Sequence, residues 1–254
     1  MTNNLCAAEL AIYIALAIPI LYLLATHGRP GILGWLFLFI FSSLRIVGSA
    51  LGLESSSPTA SIISSVGLSP LLLATSGILH EARFYRVAGL DQKLEWALAL
   101  FYHIFVVGGV ALTAAGSAKL QSHEEPIEKA EKLVKAGIAI LTVCWVALVA
   151  GTVVSFIAPV RKSALGRAGT MLLSTISFAL VFIGIRVFYS LVYLCTQSPS
   201  LNPTTGSLAV RVVLGFLSEL IAVLAFIVVG LMTRNASKQT RERIDMLPVS
   251  RTPH

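Results

Sequence analysis

Charge is scarce in this sequence. Asp, Glu, Lys and Arg make up 12% of 254 residues, against roughly 25% in soluble domains. Aspartate is almost missing, with Asp91 and Asp245 the only two. Without an aspartate-rich stretch nothing is expected to hold a magnesium diphosphate, which argues against metal-dependent ionisation of a prenyl diphosphate. Three cysteines do not make a disulfide scaffold. HExxH, paired-cysteine metal sites, GxSxG, the P-loop and GxGxxG are all absent, so zinc hydrolysis and ATP-driven transport find no support. The five histidines lack the clustering that desaturases and hydroxylases use. No metal or cofactor is expected. No basic domain exists to carry nucleic acid, and there is no internal repeat.

Apolar residues are abundant instead. They make up 56% of the chain, and the mean hydropathy is +0.85. Seven mostly uncharged stretches stand out: 5–26, 31–53, 60–79, 96–116, 136–158, 169–195 and 207–232. Each is close to the ~20 residues needed to span a bilayer as a helix. A barrel would show alternating polarity in short segments, and these runs are continuous. The chain therefore reads as all-α, an integral membrane bundle of seven helices over 1–232. Residues 233–254 are polar and read as a disordered tail. MTNN lacks a basic n-region, so no cleavable signal is expected. Twelve Lys and Arg fall on the side of the tail and four on the other, with Arg45, Arg186 and Arg211 inside the runs. This asymmetry predicts an N-terminus outside or lumenal and a cytosolic C-terminus. The membrane expected is the endoplasmic reticulum or another endomembrane, with the plasma membrane as the alternative. The net charge of +7 then reflects topology and attraction to anionic lipid.

Some charges interrupt the apolar runs. An arginine at mid-bilayer costs about 2.5–3.5 kcal/mol on insertion scales. Arg45 and Arg186 both sit in the outer halves of their runs. Glu9 sits a turn inside the first run and Glu219 near the middle of the last. Two cations and two carboxylates at similar depth predict one shared polar pocket. Tyr189 and Tyr193 follow Arg186 by three and seven residues on the same helical face. Tyr13 follows Glu9 by four. The plainer reading makes these structural ion pairs that fix helix register. On the functional reading, Glu219, Arg45 and Arg186 carry chemistry, while Glu9, Tyr189, Tyr193 and Tyr13 line the ligand. His103 reads as a packing residue. His80 and Glu81 read as an anchor at headgroup level. Gly48 and Gly52 form a GxxxG element that permits close helix approach. Cys6 and Cys195 both map to the outer ends of their helices, and sequence does not decide whether they pair.

At FSSLRIVGSALGL (41–53), GLSPLLLATSGIL (67–79), GIRVFYSLVY (184–193) and LSELIAVLAFIVVGL (217–231), the chain resembles an uncharacterised family of fungal seven-span integral membrane proteins. That resemblance implies the seven-helix fold but no reaction. In architecture the chain is also similar to the small membrane terpene cyclases of fungal meroterpenoid pathways, whose Asn-Phe-x-Trp-Glu signature it lacks. The architecture implies a cofactor-free cyclase or isomerase of specialised metabolism. Glu219 would act as its general acid on a lipophilic terpenoid. A lipid or amphiphile transporter or binding protein, and a seven-helix receptor, are the alternatives. The partners expected are membrane lipids and a lipophilic small molecule.

Overall fold

The computed structural model describes residues 2–54, 68–122, 127–196, 201 and 206–245. Among the described residues six long helices come first: α1 (Thr2–Thr26), α2 (Gly28–Glu54), α3 (Leu68–Arg86), α4 (Gln92–Gln121), α5 (Ile127–Ile157) and α6 (Ala164–Thr196). The final helical stretch opens with a turn, Leu208–Val210. It passes through a π-helical segment, Arg211–Leu217, and continues as α7 (Ser218–Asp245). Among the described residues the β pairing is limited to one bridge, between Val87 and Val160.

Local chemistry sets the helix ends. His27 alone separates α1 from α2, and the reversal uses Gly28 at φ 66°, a backbone state open to glycine without steric cost. Pro30 then falls in the first turn of α2, where its missing N–H is not needed. The Asp91 carboxylate accepts from Lys93 N at 3.0 Å and Leu94 N at 3.5 Å, capping α4. Exposed i,i+4 pairs, Glu128–Lys132 and Glu131–Lys135, line the first turns of α5. The polar segment expected to be a tail continues α7 as far as Asp245. Residues 246–254 lie outside the described residues.

Six of the described helical stretches are long and apolar enough to cross a membrane. They are Asn4–Thr26, Gly28–Leu53, Lys93–Leu120, Glu128–Ile157, Ala164–Tyr193 and Leu208–Asn235. The third expected span, 60–79, begins outside the described residues, and its described part, 68–79, lies in α3. That helix is buried on every side, from Leu71 through Ile78 without a break. A helix buried on all sides belongs at the centre of its bundle. The other helices turn large apolar side chains outward, among them Ile18, Phe101, Val143 and Ile157. Such a band suits acyl chains and would be a liability in water.

α1 packs on α2, α2 on α3, α3 on α6, α6 on α7, and α7 returns to α1. The α4–α5 hairpin lies outside this ring, against α3 and α6. Backbones approach closely where α2 crosses α3. A Cβ on Gly34 would lie 2.6 Å from Ile78 N, and one on Gly77 would meet the Gly34 backbone itself. The core between these helices contains Trp35, Phe41, Leu72, Ile176 and Phe226.

Candidate functional site

The site forms at the end of the bundle that holds the N-terminus. Its centre is Glu219, fully buried at the second position of α7. The π-helical segment ends at Leu217, two residues before it. π-Helices are rare, and when present they often mark functional positions. The Ser218 hydroxyl donates to the carbonyls of Leu214 and Gly215, both at 2.8 Å, covering the point where the backbone register changes.

Two arginines converge on the Glu219 carboxylate. Arg186 of α6 donates through Nε to Oε1 at 2.9 Å, and Arg45 of α2 donates through Nη2 to Oε2. Arg186 also donates through Nη1 to Ser190 Oγ at 2.6 Å. Its guanidinium carbon lies 5.4 Å from the centre of the Tyr189 ring, and that of Arg45 lies 5.5 Å from the Phe41 ring. Charge-assisted bonds of this kind are stronger than neutral ones. The aromatic faces add cation–π attraction.

α1 closes the site. Tyr13 stands edge-on to Phe41 at 5.7 Å and to Phe216 of the π segment at 6.1 Å. Glu9 is half-buried and accepts from Ser49 Oγ at 3.2 Å. It lies within electrostatic reach of Arg45, Glu219 and Arg211. Counting formal charges, three arginines and two carboxylates leave the site near +1. Several buried polar atoms around the triad have no hydrogen-bond partner among the described residues: Tyr13 Oη, Ser42 Oγ, Arg45 Nε and Tyr189 Oη. Buried polar groups are ordinarily satisfied, so these four are exceptions grouped on α1, α2 and α6.

Glu219, Arg45, Arg186, Glu9, Tyr13 and Tyr189 thus come together as the sequence predicts. Tyr193 lies a turn beyond Tyr189 and is half-buried. The GxxxG element finds its partner within the chain, because Gly52 faces Cys6 Sγ of α1. Cys6 and Cys195 are both free thiols. His103 packs against Phe37 at 5.2 Å and bonds the Ala99 carbonyl at 2.6 Å. Among the described residues no group of three His, Cys, Asp or Glu side chains is placed to hold a metal.

One expectation is corrected. Glu81 does not face the headgroups but is completely buried within the protein. Its Oε2 accepts from Trp35 Nε1 at 3.0 Å, and its Oε1 lies 4.0 Å from His27 Nε2. His27 also reaches Thr233 Oγ1 of α7 at 3.5 Å. The socket exists because Gly31 has no side chain, since a Cβ there would lie 2.6 Å from Glu81 Oε2. The glycines flanking Arg29-Pro30 were the signal available in the sequence. The neighbouring Arg83 and Arg86 turn the other way. Arg83 pairs with Glu95 at 2.5 Å, and Arg86 donates to carbonyls at the end of α5.

No curated protein and no solved structure matches the chain. The profile of one family, Domain of unknown function (DUF7702), matches residues 1–236. With nearly the whole chain covered, the protein belongs to that family.

Proposed function

We propose that the protein is a seven-span membrane protein, N-terminus outside or lumenal, that binds an amphiphile through an anionic headgroup in its outer half. One observation carries this reading: both oxygens of Glu219 are occupied by guanidinium groups, with unpartnered donors from Tyr13, Ser42, Arg45 and Tyr189 around them. A cluster of guanidinium groups and hydroxyls with donors to spare suits phosphate or carboxylate oxygens. The stretch 60–79 supplies the seventh span, which ends before Glu81 and need not be as apolar as its neighbours because protein surrounds its described part.

The same geometry weighs against a cyclase in which Glu219 delivers a proton. A proton on either oxygen would face a guanidinium donor, and arginine has no acceptor to offer it. The site supports holding a headgroup better than it supports protonating an alkene.

The test uses the detergent-solubilised protein. Lyso-phosphatidic acid is expected to raise its thermal midpoint well above the effect of lyso-phosphatidylcholine. Tyr189→Phe removes a hydroxyl with no partner and should leave the unliganded midpoint unchanged. Affinity for lyso-phosphatidic acid should fall several-fold, in line with about 1 kcal/mol for one hydrogen bond. Equal stabilisation by the two lipids, or full affinity in Tyr189→Phe together with Arg186→Gln, would overturn the reading.

A further inference from the structure

The cluster at the opposite end of the bundle has no part in headgroup binding. It comprises Glu81 of α3, His27 of the α1–α2 turn, Trp35 of α2 and Thr233 of α7, every one of them buried. Glu81 lies beyond Leu79, where the third expected span ends, and His27 lies between the spans Asn4–Thr26 and Gly28–Leu53. Trp35 bonds one carboxyl oxygen of Glu81. The other, Oε1, has no hydrogen-bond partner among the described residues and faces His27 Nε2. Among the described residues no arginine or lysine pairs with the carboxyl. Tyr85 lies beside it on α3, while His80 stacks edge-on to Trp96 at 5.7 Å. Arg83 and Arg86 are held by α4 and α5. A fully enclosed carboxyl with no cation paired to it among the described residues is built to carry a proton.

We propose that Glu81 and His27 form a proton-binding site at the end of the bundle away from the arginine cluster, and that its occupancy alters the contact of the α1–α2 turn with α7. The proton sits on Oε1 of Glu81 and leaves to the aqueous phase, so that a carboxylate remains against neutral His27. His27 and Thr233 carry that change to α7, and Trp35 to α2. The electrostatics agree. Burial raises the Glu81 carboxyl to about 8, against the pull of Trp35 and Tyr85. Burial also lowers His27 to about 4, partly offset by its bond to the Leu23 carbonyl.

The sign of the stability change follows. Between the ordinary value of 4.5 and about 8, the folded protein holds a proton at Glu81 that the unfolded chain has lost, so raising the pH costs stability. Between about 4 and 6.5, the unfolded chain holds a proton at His27 that the folded protein excludes, so raising the pH adds stability. The two oppose each other at mildly acid pH. Above the ordinary histidine value of 6.5 the Glu81 slope stands alone, and stability falls until Glu81 has ionised.

The experiment reads Trp35 fluorescence in the full-length protein carrying Trp96→Phe and Trp145→Phe. A change centred near pH 8 that disappears in Glu81→Gln is the expected result. No pH-dependent change, or one that persists in Glu81→Gln, overturns the proposal. A transition abolished by His27→Gln but kept in Glu81→Gln also overturns it. Should Glu81→Gln fail to fold, the thermal midpoint of the protein with native Glu81 decides the matter. A fall from pH 6.5 to 8 supports the site, and a flat or rising curve overturns it.

Discussion

Replacing Glu219 by glutamine would leave Arg45 and Arg186 facing one another across a neutral amide. Both guanidinium groups are largely shielded, with side chains 12% and 4% exposed. Removing the shared carboxylate is therefore expected to cost about 3–5 kcal/mol, the usual penalty for breaking a buried ion pair. The triple replacement Arg45→Met, Arg186→Met, Glu219→Leu takes away all three charges together. Apolar replacements of buried ionic triads are often neutral or stabilising, so this variant should unfold close to the wild-type midpoint. It should also lose its response to lyso-phosphatidic acid. If the response survived, the headgroup would be bound somewhere else. The residues of this site were legible in the sequence because ions inside long apolar runs stand out energetically. Glu81 was not, because it lies at the end of a run beside Arg83 and Arg86, where a surface position is the natural reading. Only the three-dimensional meeting with Gly31 and Trp35 reveals the socket.

At the level of elements, α2 and α3 are held at backbone contact by Gly34 and Gly77. Here the obstacle is main chain and not the tip of a flexible side chain. Gly77→Val would drive the two helices apart, with an expected loss of about 3 kcal/mol, at the upper end of ordinary overpacking costs. Denaturation in mixed micelles would measure it, and an unchanged midpoint would mean that the helices do not approach so closely. Element types followed directly from the apolar runs, but several ends did not. α3 continues past Leu79 to Arg86 because its two arginines find Glu95, Ser155 and the carbonyls that end α5. Those partners lie 12 and about 70 residues away along the chain, beyond any local pattern. The π-helical stretch before Glu219 was equally hidden, since VVLGFL reads as ordinary apolar helix. Its effect is clear in the structure, where it brings Phe216 onto Tyr13 and Glu219 under both arginines.

Across the whole molecule, the two polar clusters use the same helices. α2 supplies Arg45 and Ser49 at one end and Trp35 at the other. α7 supplies Glu219 and Thr233. α1 supplies Glu9 and Tyr13, then runs into His27. On the proposed orientation, with the N-terminus outside or lumenal, the arginine cluster lies on the outer side and the Glu81 cluster towards the cytosol. A glycosylation acceptor added before Thr2 should therefore be modified in microsomes, and a C-terminal epitope should be digested by protease in intact vesicles. The reverse pattern would invert the topology and move each cluster to the other face.

The all-round burial of α3 also bears on how the chain is made. A helix with no lipid-facing side depends for its surroundings on segments that leave the ribosome later. α6, which covers much of α3, begins only at Ala164. Until it emerges, α3 has α2 on one flank and only the smaller contacts of the α4–α5 hairpin on the other. Chains stopped short of that point would present an unsheltered, partly ionic helix to the insertion machinery and its proteases. Early truncations should accordingly be degraded far faster than ones that lose only the end of α7.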